Sequence, residues 1–151
     1  LFFKSVEYFI NKYLKNPFYN YKVFKIENDG KIQAIIVIRI ISINKCNIIR
    51  VIDFDGDETS ISNMGYFFLK LMRKEKAEYV DFIQYGIDKK YFLDSGFKLL
   101  DNNSCVILPN YFEPLVHENI PLLFSYKTNK KNKIRIFKGD GDQDRPNMVV
   151  S

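Results

Sequence analysis

Tryptophan is absent from this chain of 151 residues, histidine occurs once and cysteine twice. Cys46 and Cys105 make neither a disulfide framework nor a metal cluster, so reduced thiols and a cytoplasmic location are the expectation. Neither has a local partner that would lower its pKa, which argues against a cysteine nucleophile. His117 lies in the loop-like stretch Glu113-Pro114-Leu115-Val116-His117-Glu118-Asn119, where a surface histidine is the simpler reading than a general base. Long apolar runs are missing too. Arg39, Asn44 and Lys45 interrupt the longest candidate and no signal peptide is visible, so no membrane insertion is expected.

What is present suits one domain. With 46% apolar and 16% aromatic residues, the chain can bury a substantial core. Residues 1–137 read as that domain and residues 138–151 as an irregular acidic tail, because Lys138 to Ser151 lacks hydrophobic periodicity and carries two glycines and a proline. The formal charge is +5, with 23 basic residues mixed among 18 acidic ones. That mixture makes nucleic acid an unlikely partner. The clearest basic run, Lys127-Thr128-Asn129-Lys130-Lys131-Asn132-Lys133-Ile134-Arg135, suits a solvated turn at least as well as a phosphate contact.

Periodicity organises the chain around Cys46 to Phe97. Cys46 to Asp55 reads as a central strand, apolar on both faces until its end. After the turn Asp55-Gly56-Asp57, Ile61, Met64, Phe68, Leu71 and Met72 recur at helical spacing, predicting a helix over Thr59 to Lys76 that Asp57, Thr59 or Ser60 can cap. A strand over Glu78 to Gln84 and a short helix over Asp88 to Ser95 follow. Strand, crossover helix and strand predict a parallel pair, with a ligand site beyond the strand ends.

The flanks predict antiparallel structure. Leu1 to Leu14 is a helix candidate that Pro17 ends. Tyr21 to Glu27 and Lys31 to Ile43 flank Asn28-Asp29-Gly30, a hairpin signal. Lys98 to Leu100, Ser104 to Leu108, Pro121 to Tyr126 and Ile134 to Phe137 are further strand candidates, the last two as a hairpin around the lysine-rich turn. The expectation is a mixed α/β fold with a largely antiparallel sheet of about seven strands, helices on both faces and a parallel pair at the centre.

The order of these elements, and the short helix Tyr91-Phe92-Leu93-Asp94-Ser95 closing on Gly96-Phe97, resemble the GCN5-related N-acetyltransferase (GNAT) family over roughly Leu1 to Leu108. The resemblance implies an acyltransferase that uses acetyl-CoA to acetylate a small amine, such as an amino sugar in surface-polysaccharide biosynthesis. It also implies a pyrophosphate turn between central strand and helix, which places Gly56, Thr59 and Ser60 at the cofactor. Here that turn carries three acids, Asp55, Asp57 and Glu58, and the family's tyrosine aligns with Phe92, one position from Tyr91. A catalytically degenerate GNAT-like domain that binds a ligand or partner is therefore the alternative. Aminoacyl transfer from tRNA, as in Fem-type enzymes, is a third.

Candidate chemistry follows. Asp53 and Asp55 share a strand face at the mouth of the expected cleft, where a buried carboxylate can deprotonate an ammonium group; the alternative is a pair of solvated or capping acids. Tyr91 completes the catalytic candidates, and Gln84 and Tyr85, after the second parallel strand, are the substrate-binding ones. The tail Gly139-Asp140-Gly141-Asp142-Gln143-Asp144-Arg145 starts like a calcium loop, but Arg145 stands where an EF-hand needs glycine and Ser151 where it needs glutamate.

Overall fold

Asp29 and Gly30 both adopt positive φ, 49° and 73°, which is the twist a two-residue hairpin demands. They join β1 (Tyr21–Asn28) to β2 (Lys31–Ile43), paired antiparallel from Asn28↔Lys31 to Tyr21↔Arg39. A second antiparallel step leads to β3 (Cys46–Gly56), which pairs in parallel with β4 (Ala77–Phe82). The computed structural model describes residues 3–43, 45–100, 104–108, 119, 123–128 and 134–141. Among them the sheet has four strands in the order β1-β2-β3-β4, and β5 (Gln84–Tyr85) pairs with β6 (Ile136–Phe137) in a separate two-stranded ladder.

The sheet carries apolar side chains on both faces. One cluster joins Ile36, Ile38, Ile49, Val51 and Phe54 to the helices that follow β3, and another joins Val37 and Ile52 to Phe9, Tyr13 and Tyr21. A β-bulge decides which face receives the strand's polar end. Val37 pairs with Asp53 and Ile38 with Val51, so Ile52 has no opposite residue; this extra residue resets the alternation beyond it. Asp53 then meets Tyr13 on the face opposite Phe54.

The expected helices form with different contours. The N-terminal one is α1 (Val6–Phe9), capped by Ser5, running into a π-helical turn, Ile10–Leu14. The predicted helix over Thr59 to Lys76 divides into a 3-10 stretch, Glu58–Asn63, and α2 (Gly65–Glu75). Ser, Asn and Gly at 62, 63 and 65 are weak helix formers, and the Ser95 carbonyl packs where a side chain on Gly65 would stand. The short helix α3 (Lys89–Asp94) is capped by Asp88 and ends at Gly96, φ 89°, as the sequence leads one to expect.

The count of about seven strands does not hold: six are present among the described residues. Residues 98–100, 104–108 and 123–126 are not in strands. Their apolar side chains find no ladder to join, and Leu99, Val106 and Leu123 stay exposed. Ile136–Phe137 pairs with Gln84–Tyr85 rather than with the stretch before the lysine-rich turn. The turn at Asp101-Asn102-Asn103, His117 and the tail from Asp142 lie outside the described residues. The tail is also less irregular at its start than expected. Lys138–Asp140 forms a 3-10 turn in which Lys138 and Gly139 are buried. Among the described residues no helix is long and apolar enough to cross a membrane.

Candidate functional site

The parallel strands part after Val51↔Phe82, their last paired residues. β3 continues to Gly56 while the chain after β4 turns away into β5. The end of β3 is therefore where a cleft would open. Phe137 occupies it: its ring lies 6.2 Å from Phe54 on β3 and 6.2 Å from Phe82 on β4. Behind it Gly139 sits against Tyr13 and Ile52, so close that a Cβ would collide with the tyrosine hydroxyl.

Asp53 and Asp55 are fully buried at this end of β3. Asp53 Oδ1 accepts from Lys4 Nζ at 2.5 Å and from the Phe54 amide at 2.9 Å, while Oδ2 accepts from Tyr13 Oη at 2.6 Å. The same lysine donates to Asp140 Oδ1 at 2.7 Å and lies over the rings of Tyr8 and Phe137. Asp55 accepts from the Phe3 and Lys4 amides, Oδ2 at 2.8 and 2.7 Å, and from Arg135 at 3.3 Å. Arg135 donates also to the Gly56 carbonyl at 2.8 Å, and Lys12 to the Gly139 carbonyl. These bonds fasten a segment before the sheet and a segment long after it onto one strand end.

Electrostatics follow from burial. Burial pushes the Asp53 carboxyl up, against the opposing pull of Lys4 and Tyr13. Burial also works to lower Lys4, but attraction to Asp53 and Asp140 outweighs it and the ammonium is held above its usual range. Lys4 keeps 17% of its side chain exposed where Asp53 keeps none, which explains why the charge is favoured on one partner and penalised on the other. The Tyr13 hydroxyl is pushed far up by burial and by the adjacent Asp53.

The expected cofactor turn is closed by its own backbone. The Asp57 amide donates to the Gln33 carbonyl at 2.8 Å, the Thr59 amide to Asp57 Oδ1 at 2.9 Å and the Ser60 amide to the Asp57 carbonyl at 3.2 Å. The Ser60 hydroxyl donates to that carbonyl as well, at 2.6 Å. Thr59 contributes a donor to a cap rather than to an empty cradle. Gly56, φ 128°, is a glycine because the β2 backbone at Gln33 and Ala34 occupies the place of its Cβ.

The remaining sequence candidates scatter. Tyr91 packs with the cluster on the α2 and α3 side, with Lys90 Nζ 4.8 Å from its ring centre, whereas Asp53 faces Tyr13 across the sheet. Gln84 holds its own turn: its Oε1 accepts from the Ile87 amide at 3.0 Å and its Nε2 donates to the Ile87 carbonyl at 3.3 Å. Tyr85 is exposed, meeting Phe124 edge to face and Tyr126 at a tilt. Lys4, Tyr13, Arg135 and Asp140 were not singled out by the sequence as partners of Asp53 and Asp55. A buried acid pair in β3 requires cations, but nothing local in the chain says which.

A second concavity lies across α2. It has a volume of about 370 Å³ and is lined chiefly by apolar groups, among them Phe68, Leu69, Met72, Val80, Phe97 and Leu99. That lies within the size range of small-molecule sites. Compared with protein-family models, with curated proteins and with solved structures, the chain matches none.

Proposed function

We propose that this chain is a catalytically degenerate GNAT-like domain that binds a small apolar ligand beside α2 and does not transfer an acyl group at the parted strands. The observation that carries this reading is Phe137, whose ring packs 6.2 Å from both Phe54 and Phe82, themselves 6.4 Å apart, and closes with them the strand ends where a pantetheine arm would run. Two further facts support it. The amides of the acidic turn are already bonded within the chain, and the carboxylates of Asp53 and Asp55 are engaged by the chain ends. Thermal unfolding with coenzyme A or acetyl-CoA tests it, because a ligand at about 100 times its Kd stabilises by roughly 2.7 kcal/mol. No shift is expected at millimolar cofactor, and a saturable shift overturns the reading. The native protein should brighten anilinonaphthalene sulfonate, and Leu69→Glu at the exposed rim of the cavity should abolish this.

One observation favours acyl transfer to an amine as a second reading. Asp53 is a buried carboxylate with a raised pKa that touches an amine, Lys4 Nζ, at the end of a parallel strand pair, which is the environment a general base needs. Acetyl-CoA would be the donor and a small amine, such as an amino sugar, the acceptor. On this reading Asp53→Asn abolishes coenzyme A release with the melting temperature unchanged. A lowered melting temperature with no turnover to lose assigns Asp53 to the fold.

A further inference from the structure

The wall of the concavity beside α2 restricts what can enter it. Phe68 and Met72 come from the helix, Val80 from β4 and Phe97 from the turn after α3. Leu69, Leu99 and Val106 line it too and are 55%, 75% and 58% exposed, so apolar surface continues to the mouth. The serine hydroxyls in the wall are engaged locally. Ser95 Oγ donates to the Phe92 carbonyl at 3.2 Å, and Ser104 Oγ accepts from the Val106 amide at 3.1 Å. A sugar or a nucleotide needs convergent polar groups in its site, and these serines do not supply them.

Charge narrows the choice further. Lys98 is the one charged residue in the lining, and no carboxylate accompanies it. It is exposed, and no ion pair joins it to an acid among the described residues. A cationic ligand would meet repulsion there, whereas an anion would gain a partner. Lysine lays its methylenes along apolar surface and keeps its ammonium in water, which suits Lys98 to a head group at the mouth. Volume then sets the size of the apolar body. At about 30 Å³ per non-hydrogen atom, the share of a water molecule in the liquid, a cavity of about 370 Å³ holds roughly twelve such atoms.

We propose that the cavity beside α2 binds an aliphatic carboxylate of about ten to twelve carbons, with its tail among Phe68, Met72 and Val80 and its carboxylate at Lys98. This assignment rests on the apolar ligand site proposed above and adds the charge and length of the ligand.

The test uses the full chain and calorimetry with straight-chain carboxylates from hexanoate to tetradecanoate, each below its micelle concentration. Affinity should rise about four-fold per added methylene and level off near dodecanoate. Decanol and decyltrimethylammonium present the same tail with a neutral and a cationic head. Decanoate should bind about five-fold or more tightly than the ammonium compound, and Lys98→Glu should weaken decanoate about five-fold while leaving decanol unchanged. Unchanged melting temperatures are the control for folding. Equal binding of all three heads, or decanoate binding indifferent to Lys98→Glu, overturns the carboxylate assignment and leaves the apolar site standing. No binding of decanoate at about 1 mM overturns it as well; if anilinonaphthalene sulfonate also fails to brighten, the apolar site itself falls. Where free decanoate does not bind, a dimer that Leu69→Glu dissociates gives the exposed rim to a second copy of the chain, and retention on phosphatidylglycerol vesicles gives it to a membrane surface. Either result overturns the proposal.

Discussion

β3 carries two buried ionic sites only a few residues apart, and they are built in opposite ways. Arg50 lies beside Asp81 in the parallel ladder and holds it as a fork, Nε to Oδ2 at 2.8 Å and Nη2 to Oδ2 at 2.5 Å, with both side chains almost fully buried. Asp53 and Asp55 instead recruit Lys4, Tyr13, Arg135 and Asp140 from the two flanks of the sheet. The first pair is supplied by strand register. The second is supplied by tertiary closure, so it reports whether the flanking segments are docked. Breaking the ladder pair should disrupt the sheet, and breaking the clasp should release the flanks while the sheet persists.

The largest effect is expected at the ladder pair. Removing one partner of a buried ion pair strands a charge in the interior, so Asp81→Ala should cost about 3–5 kcal/mol in urea unfolding. Replacing both, as Arg50→Met with Asp81→Leu, should recover most of that loss, because the stranded charge disappears. A single variant within about 1 kcal/mol of the parent would show that the pair is hydrated in solution.

At the clasp, Asp53→Ala leaves Lys4 without its closest carboxylate and Tyr13 without its acceptor. The expected cost is about 2–4 kcal/mol. What sharpens the contrast is where the damage appears. Amide exchange should quicken first at residues 3–14 and 134–140, with β2 and β3 keeping their protection; uniform loss across the sheet would erase the distinction between the two sites.

The two sites also separate what the sequence discloses from what it withholds. The hairpin at Asp29-Gly30, the parallel step from β3 to β4 and the Gly96 helix end rest on local chemistry, and all are present. Burial of Asp53 and Asp55 was half legible: two acids on one strand face mark a special end, but their partners lie 40 or more residues away. Arg50 was read past as part of an apolar strand, since register with Asp81 cannot be seen before the strands are paired. Strand candidates near Leu99 and Val106 failed because β-propensity describes a surface that fits a sheet and names no neighbour. The early part of the tail was misjudged for a related reason. Lys138-Gly139-Asp140 has no periodicity of its own and acquires order from Tyr13 and Ile52.

Tyr13→Phe removes one hydrogen bond of the clasp and keeps the ring. It should cost about 1 kcal/mol by denaturant titration, plus a modest amount for the unmet lone pair on Asp53. Gly139→Ala offers an independent route to the same place. Its methyl group would meet the Tyr13 hydroxyl and the Ile52 carbonyl, so it should loosen the 134–140 segment in exchange while leaving Arg50 and Asp81 untouched.

The smallest effect concerns alkaline pH. Lys4 and Tyr13 both have their folded pKa raised, so each binds its proton more firmly in the folded chain than in the unfolded one. Their contribution to stability is complete below the ordinary values of about 10 to 10.4, and it is lost as pH climbs from there through the raised folded values. The parent protein should therefore lose stability above about pH 10, and Lys4→Met with Tyr13→Phe should lose less relative to its own stability at neutral pH. Asp53 acts in the other range. Its raised carboxyl favours the protonated fold, so its contribution is present below the ordinary carboxylate value and declines as pH rises through the folded one. Asp81→Ala, which keeps the clasp, should retain the parent's alkaline slope. If it lost that slope together with the Lys4 and Tyr13 variant, the two ionic sites of β3 would be one cooperative unit.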